Sequence, residues 1–123
     1  MKRIVIADDS ATARMVIRRC LEIIGLGEAD MVEAPNGREA LNRLKEEPTD
    51  LLVTDLNMPV MDGETLLKWV KGSPRLTDLP VVIVTSAGNP AKEVELTTIG
   101  AFAVLNKPIS PATLLKTLEP LMQ

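Results

Sequence analysis

The chain is predicted to be an α/β domain, an open parallel sheet with helices on both faces. Three observations predict it. Short apolar, β-branched runs alternate with longer amphipathic stretches through five rounds. The connections between them are short, as they are in βαβ units. The first, third and fourth strand runs are nearly unbroken aliphatic stretches, the pattern of strands covered on both faces rather than one.

The elements follow in order. Arg3–Ala7 is the first strand. Ser10 is placed to cap a helix running to about Ile24, which Gly25 and Gly27 end. Asp30–Ala34 is the second strand, Asn36-Gly37 turns the chain, and Arg38–Glu46 is the second helix. Pro48-Thr49-Asp50 breaks that helix before the third strand, Leu51–Thr54. Asp62-Gly63 opens a helix through Lys71, and Gly72-Ser73-Pro74 stops it. After Pro80 comes the fourth strand, Val81–Val84. Asn89-Pro90 pairs a cap residue with a proline at the first helical position; the helix it starts stops near Gly100. Phe102–Leu105 is the fifth strand, and Ser110-Pro111 repeats the cap-then-proline signal for the last helix. Pro120 is expected to end or kink that helix, because it lacks the N–H the helix needs.

The 123 residues correspond to one domain, covering 1–123, on the usual scale of about 100–200 residues per domain. The net charge of -3 argues against nucleic acid as the main partner. Cys20 is the only cysteine, so no internal disulfide can form, and a small buried hydrophobe is its expected role. There is no histidine, which excludes Ser–His triads, His–Asp relays and the usual zinc sites. The apolar run after Met1-Lys2-Arg3 is cut short by Asp8-Asp9, so it is no signal peptide. No stretch approaches the roughly 20 apolar residues of a membrane span, and a cytoplasmic location is expected.

Ligands of open α/β sheets bind beyond the carboxyl ends of the strands. The first strand ends in Asp8-Asp9, the third in Asp55, the fourth in Thr85-Ser86 and the fifth in Asn106-Lys107-Pro108. Each residue alone is an ordinary cap, turn or solvated lysine. Together, several carboxylates without neutralisation would repel one another and resist ionisation. A hard cation with oxygen ligands resolves this, and Mg²⁺ needs only a couple of carboxylates while keeping several waters. Lys107 adds a permanent positive charge. Carboxylates, cation, hydroxyl and lysine form a set suited to phosphoryl transfer, with one carboxylate attacking phosphorus. Asp55, an acid at the end of a buried strand, is the candidate nucleophile. Met58 and Met61 flank it as apolar packing. Arg14, Arg18 and Arg19 on the first helix read as a solvated basic face near Glu22, or as a docking surface for a phosphodonor protein.

Four stretches carry a family resemblance: Ile6-Ala7-Asp8-Asp9-Ser10, Asp55-Leu56-Asn57-Met58-Pro59-Val60-Met61-Asp62-Gly63, Val82-Ile83-Val84-Thr85-Ser86, and Lys107-Pro108. The sequence resembles a response-regulator receiver domain of two-component signalling, similar to the stand-alone chemotaxis type, from about Lys2 to Leu121. The resemblance implies a (βα)5 doubly wound, flavodoxin-like fold with strand order 2-1-3-4-5, for which the chemotaxis regulator is itself a reference example. It implies that Asp55 accepts a phosphoryl group from a sensor histidine kinase or a histidine phosphotransfer protein. Asp9, Asp55 and the backbone carbonyl of Asn57 would bind Mg²⁺ directly, Asp8 would help through water, and Thr85 and Lys107 would contact phosphoryl oxygens. It also implies slow self-dephosphorylation rather than enzymatic turnover, a cis Lys107–Pro108 bond, and a switched surface on helix 4, strand 5 and helix 5 that meets a downstream target protein. Val104 stands where the family's coupling aromatic usually lies, with Phe102 two residues earlier. Ala87 stands where members often carry a polar group that places the hydrolytic water. The only Trp is Trp69, on the third helix, and not beside the acceptor.

Other readings compete. A haloacid-dehalogenase-type phosphatase also uses a strand-end Asp, but wants a second Asp where Asn57 stands. A flavin carrier of this fold would have its phosphate repelled by Asp8-Asp9. Within the receiver reading, a phosphate shuttle or sink and the trimmed receiver of a larger regulator stand beside the stand-alone protein.

Overall fold

The first strand holds Ile4, Val5, Ile6 and Ala7, all fully buried, and the alternation of their side chains between two faces decides where every helix must go. In the computed structural model, which describes residues 1–86 and 88–122, the elements are β1 (Arg3–Ala7), α1 (Ala11–Leu21), β2 (Asp30–Ala34), α2 (Gly37–Glu46), β3 (Leu51–Asp55), α3 (Gly63–Gly72), β4 (Val81–Thr85), α4 (Pro90–Ile99), β5 (Ala103–Asn106) and α5 (Pro111–Met122). All strand pairs are parallel and the sheet order is β2-β1-β3-β4-β5, the flavodoxin-like order implied by the resemblance.

Two cores cover the two faces. Val5, Leu52 and Ile83 meet Leu44, Leu66 and Leu96 from α2, α3 and α4. Ile6, Val53 and Val84 meet Ile17, Leu21 and Leu114 from α1 and α5. Each fully buried aliphatic side chain contributes roughly 1.5–3 kcal/mol, so the sheet is held from both sides. Cys20 lies in the second core, and burial raises its thiol pKa. No helix among the described residues is long and apolar enough to cross a membrane.

The caps act as read: Ser10, Asp62 and Asn89 each accept an N–H of the first turn. Asn36, expected only to turn the chain, does the same for α2 by accepting the Glu39 N–H at 2.9 Å, so that helix starts at Gly37. α1 passes at Leu21 into a π-helical turn over Glu22–Leu26, and the helical backbone breaks at Gly25, as expected, with φ 101°. That left-handed backbone favours glycine. Pro120 does not end α5; the helix runs on to Met122. A proline in the last turn costs α5 one bond, the N–H that the Lys116 carbonyl would have accepted, and only two helical residues follow it. β5 begins one residue later than expected, and Phe102 precedes it, 41% exposed, its N–H donating to Val81 O.

Arg3 is buried within β1. Its Nη1 donates at 2.9 Å to the carbonyls of Arg43 and Glu47 and to Thr49 Oγ1, so it caps the carboxyl end of α2 from beneath. This satisfies carbonyls that a helix terminus leaves orphaned.

Candidate functional site

Register assembles the site. Ala7 lies level with Thr54, so the next residues, Asp8 and Asp55, come side by side at the carboxyl ends of β1 and β3. Asp55 is level with Val84, and Thr85 with Asn106, which brings Thr85 and Lys107 to the same end. The carboxylates of Asp8, Asp9 and Asp55 each offer an oxygen, all within 4.8 Å of one another. Lys107 Nζ lies 3.0 Å from Asp8 Oδ2 and 3.4 Å from Asp55 Oδ1.

The electrostatics follow from that placement. Burial first, and then the charge of Asp8, push the Asp55 carboxyl above its ordinary range, and Lys107 only partly offsets them. Burial opposes the Lys107 ammonium, yet Asp8 and Asp55 together outweigh it and hold its pKa above the usual lysine value. One ammonium against three carboxylates leaves an excess of negative charge on hard oxygen donors. That donor set fits a divalent cation such as Mg²⁺.

The three acids do not stand alike. Asp8 is 1% exposed, and both its oxygens are engaged, Oδ1 by the Ser10 N–H at 2.9 Å and Oδ2 by Lys107. Asp9 is exposed. Asn57 is exposed in the loop two residues beyond Asp55. Thr85 is buried at the end of β4, and its carbonyl accepts the Lys107 N–H at 2.9 Å. The Lys107–Pro108 bond is cis, as expected. Ala87, the position for placing a hydrolytic water, lies outside the described residues.

The acceptor loop is tightly built. A side chain at Gly63 would put its Cβ 2.2 Å from the backbone oxygen of Asp55, so only glycine allows α3 to start there. Met58 and Met61 pack against the α2–α3 core, as read. Val60 is 81% exposed and holds φ 69°. Val104 packs against the same core, whereas Phe102 is half-exposed, so the two residues near the aromatic position have different surroundings. Trp69 is exposed on α3.

In the basic cluster Arg19 is exposed and turns toward Glu22, at 4.0 Å, as expected, whereas Arg14 and Arg18 pair with Glu33 on β2, at 2.9 and 2.8 Å, with Arg18 half-exposed and Arg14 largely buried. Arg14 also donates to the backbone oxygen of Asp8 at 2.6 Å. Sequence pattern carried no signal for this contact, because Glu33 and Asp8 reach Arg14 from different strands. A groove of about 560 Å³ is lined by residues such as Leu44, Asp50 and Pro80 at the amino ends of the strands, away from Asp8, Asp9 and Asp55. Charge rather than cavity size marks the acidic site, in which Asp8 and Asp55 are buried and Asp9 is exposed.

The family description "Response regulator receiver domain" matches residues 4–119. A "Chemotaxis protein CheY homolog" of Campylobacter jejuni is 35% identical over 121 residues, which cover 98% of this chain and 92% of the relative. Chemotaxis protein CheY1 of Helicobacter pylori is 34% identical, over 95% of this chain and 94% of its own. The solved structure of the chemotaxis response regulator CheY4 of Vibrio cholerae superposes with TM-score 0.85 at 32% identity, covering 98% of each chain. A signal receiver domain of a histidine kinase from Syntrophus aciditrophicus gives 0.84 at 32%, covering 99% of this chain and 90% of that one. The chain belongs to the response regulator receiver domain family.

Proposed function

We propose that the protein is a response regulator whose Asp55 accepts a phosphoryl group from a phosphohistidine, on a sensor kinase or a phosphotransfer protein, with Mg²⁺ at the acidic cluster. The observation that carries this reading is the convergence of Asp8, Asp9 and Asp55 within 4.8 Å, with the Lys107 ammonium beside them. Asp9, Asp55 and the Asn57 carbonyl would hold the ion, and Asp8, whose oxygens are already bonded, would hold its water. When bound, Mg²⁺ neutralises oxygens of the cluster and of the phosphoryl group.

The chain's own residues do the rest. A carboxylate oxygen of Asp55 attacks phosphorus in line. The P–N bond of the donor breaks, its electron pair stays on the imidazole nitrogen, and that nitrogen takes a proton from solvent. Lys107 follows the charge onto the phosphoryl oxygens, and the Thr85 hydroxyl donates to one of them. The product is a modified regulator rather than a released substrate, which sets this chemistry apart from enzymatic turnover. The output surface would be α4, β5 and α5, meeting a downstream target protein. The similarity to chemotaxis regulators supports chemotaxis as the setting.

Incubation with Mg²⁺ and a small phosphodonor such as acetyl phosphate tests the reading. Intact-mass measurement is expected to show one added phosphoryl group on the parent and none on Asp55→Asn. Equal labelling of Asp55→Asn would refute the assignment.

A further inference from the structure

We propose that Arg14 is a positioning residue of the acidic site: it holds the Asp8-Asp9 turn in the shape that receives the cation, and Glu33 in turn holds Arg14. The proposal rests on the metal-site reading above and adds to it a pair of residues that do not touch the ion.

Asp8 is anchored from four directions. Its N–H donates to Ala34 O at 3.1 Å, at the end of β2. Its carboxylate takes the Ser10 N–H and Lys107. Its backbone oxygen lies before the first turn of α1, outside the helical bonding pattern, and takes Nη1 of Arg14 at 2.6 Å. That guanidinium is itself fixed: Nε donates to Glu33 Oε1 at 2.9 Å, and the other Glu33 oxygen is held by Arg18 at 2.8 Å. The Arg14 side chain is only 17% exposed. A planar fork with two fixed ends determines where the Asp8 carbonyl sits, in a way a flexible ammonium cannot. Asp9 is the next residue, so the peptide plane Arg14 orients is the one that leads into Asp9.

The sign of the effect separates positioning from plain charge. A cation near the site repels Mg²⁺, so if Arg14 acted only through its charge, removing it would tighten metal binding. If Arg14 positions the turn, removing it loosens binding. Titration of folded protein with MgCl₂, followed through amide chemical shifts around Asp8 and Asp55, reads the affinity directly. Arg14→Gln is expected to weaken Mg²⁺ binding at least threefold, and Arg14→Lys, which keeps the charge and one donor, to fall between it and the parent. Glu33→Asp keeps its charge but shortens its reach, and is expected to weaken binding at least twofold; it carries the test should Arg14→Gln not fold. Thermal unfolding in EDTA is a control, since a merely structural role would lower the melting temperature and leave the affinity of the folded protein unchanged. Parent-like or tighter Mg²⁺ binding by Arg14→Gln, or parent-like binding by Glu33→Asp, while Asp9→Asn has lost it, overturns the proposal. Asp9→Asn titrating like the parent overturns the metal-site reading itself.

Discussion

Single residues of this chain carry opposite kinds of cost. Val60 holds a left-handed backbone, φ 69°, with a β-branched side chain that is 81% exposed. The Met61 N–H donates to Pro59 O at 2.7 Å, so Val60 is the centre of a γ-turn with positive φ, a strained conformation that costs a β-branched residue roughly 1–3 kcal/mol. Little burial would be lost, so Val60→Gly is expected to stabilise the protein by about 1 kcal/mol, read as a higher denaturation midpoint with an unchanged slope. Asp50 shows the favourable case. Its Oδ2 accepts the N–H groups of Lys2 and Arg3, at 2.7 and 3.1 Å, which hold its pKa below the ordinary value of 3.8. The unfolded chain lacks those bonds and binds the proton more readily. The stability Asp50 contributes is therefore fully present above the unfolded value and is lost as pH falls through the lower folded one. Asp50→Asn is expected to be less stable than the parent at pH 7. The gap in melting temperature should close as pH drops below about 4.

Among the elements, α4 is held differently from its neighbours. Leu96 is its one fully buried side chain, and Val94 on its outer face is 67% exposed. Much of its attachment to α3 is ionic: Lys92 bonds Glu64 on the first turn of α3, and Glu64 also takes Lys68 at 3.2 Å. The Lys92 and Lys68 ammonium groups hold the Glu64 carboxyl below its usual range. A helix with a narrow apolar footing and ionic ties opens locally more readily than a well-buried one. Glu64→Gln is expected to speed hydrogen exchange in α4 while leaving α2 amides unchanged, and high salt should reproduce the effect in the parent by screening. Exchange in α4 that does not respond to either change would show that apolar packing through Leu96 and Ile99 anchors it. Because α4 belongs to the proposed output surface, this loose footing lies where a switch needs a small barrier.

For the whole molecule, the sheet concentrates negative charge at one end and leaves it under-compensated. Burial and repulsion that raise the Asp55 pKa are a cost to the folded state, and a bound cation would relieve it. A ligand that binds only the folded form stabilises it by about 2.7 kcal/mol at 100 times its dissociation constant. Magnesium is thus expected to raise the melting temperature of the parent in a concentration-dependent way and to leave Asp9→Asn nearly unmoved. Calorimetric scans at several Mg²⁺ concentrations would read this, and equal shifts in both proteins would show that the cation binds elsewhere.

The alternation of aliphatic strands with capped helices, and the polar residues at each strand end, are local in the chain. For that reason the sequence alone marks Asp8, Asp9, Asp55, Thr85 and Lys107 as one site, and the resemblance names the fold. Helix ends were legible at Gly25, where a positive φ breaks the first helix, and less so at Pro120, which sits in a last turn that tolerates it. What the tertiary structure alone decided is how neighbouring strands meet. Parallel register made Asp8 level with Asp55, and β2 lying beside β1 brought Glu33 to Arg14 and turned that one arginine of the basic face inward. The physical reason is that a strand's pattern specifies which faces are buried but not which strand lies alongside. That choice, made by the packing of helices across two cores, determines whether a charge faces solvent, a carboxylate or a carbonyl.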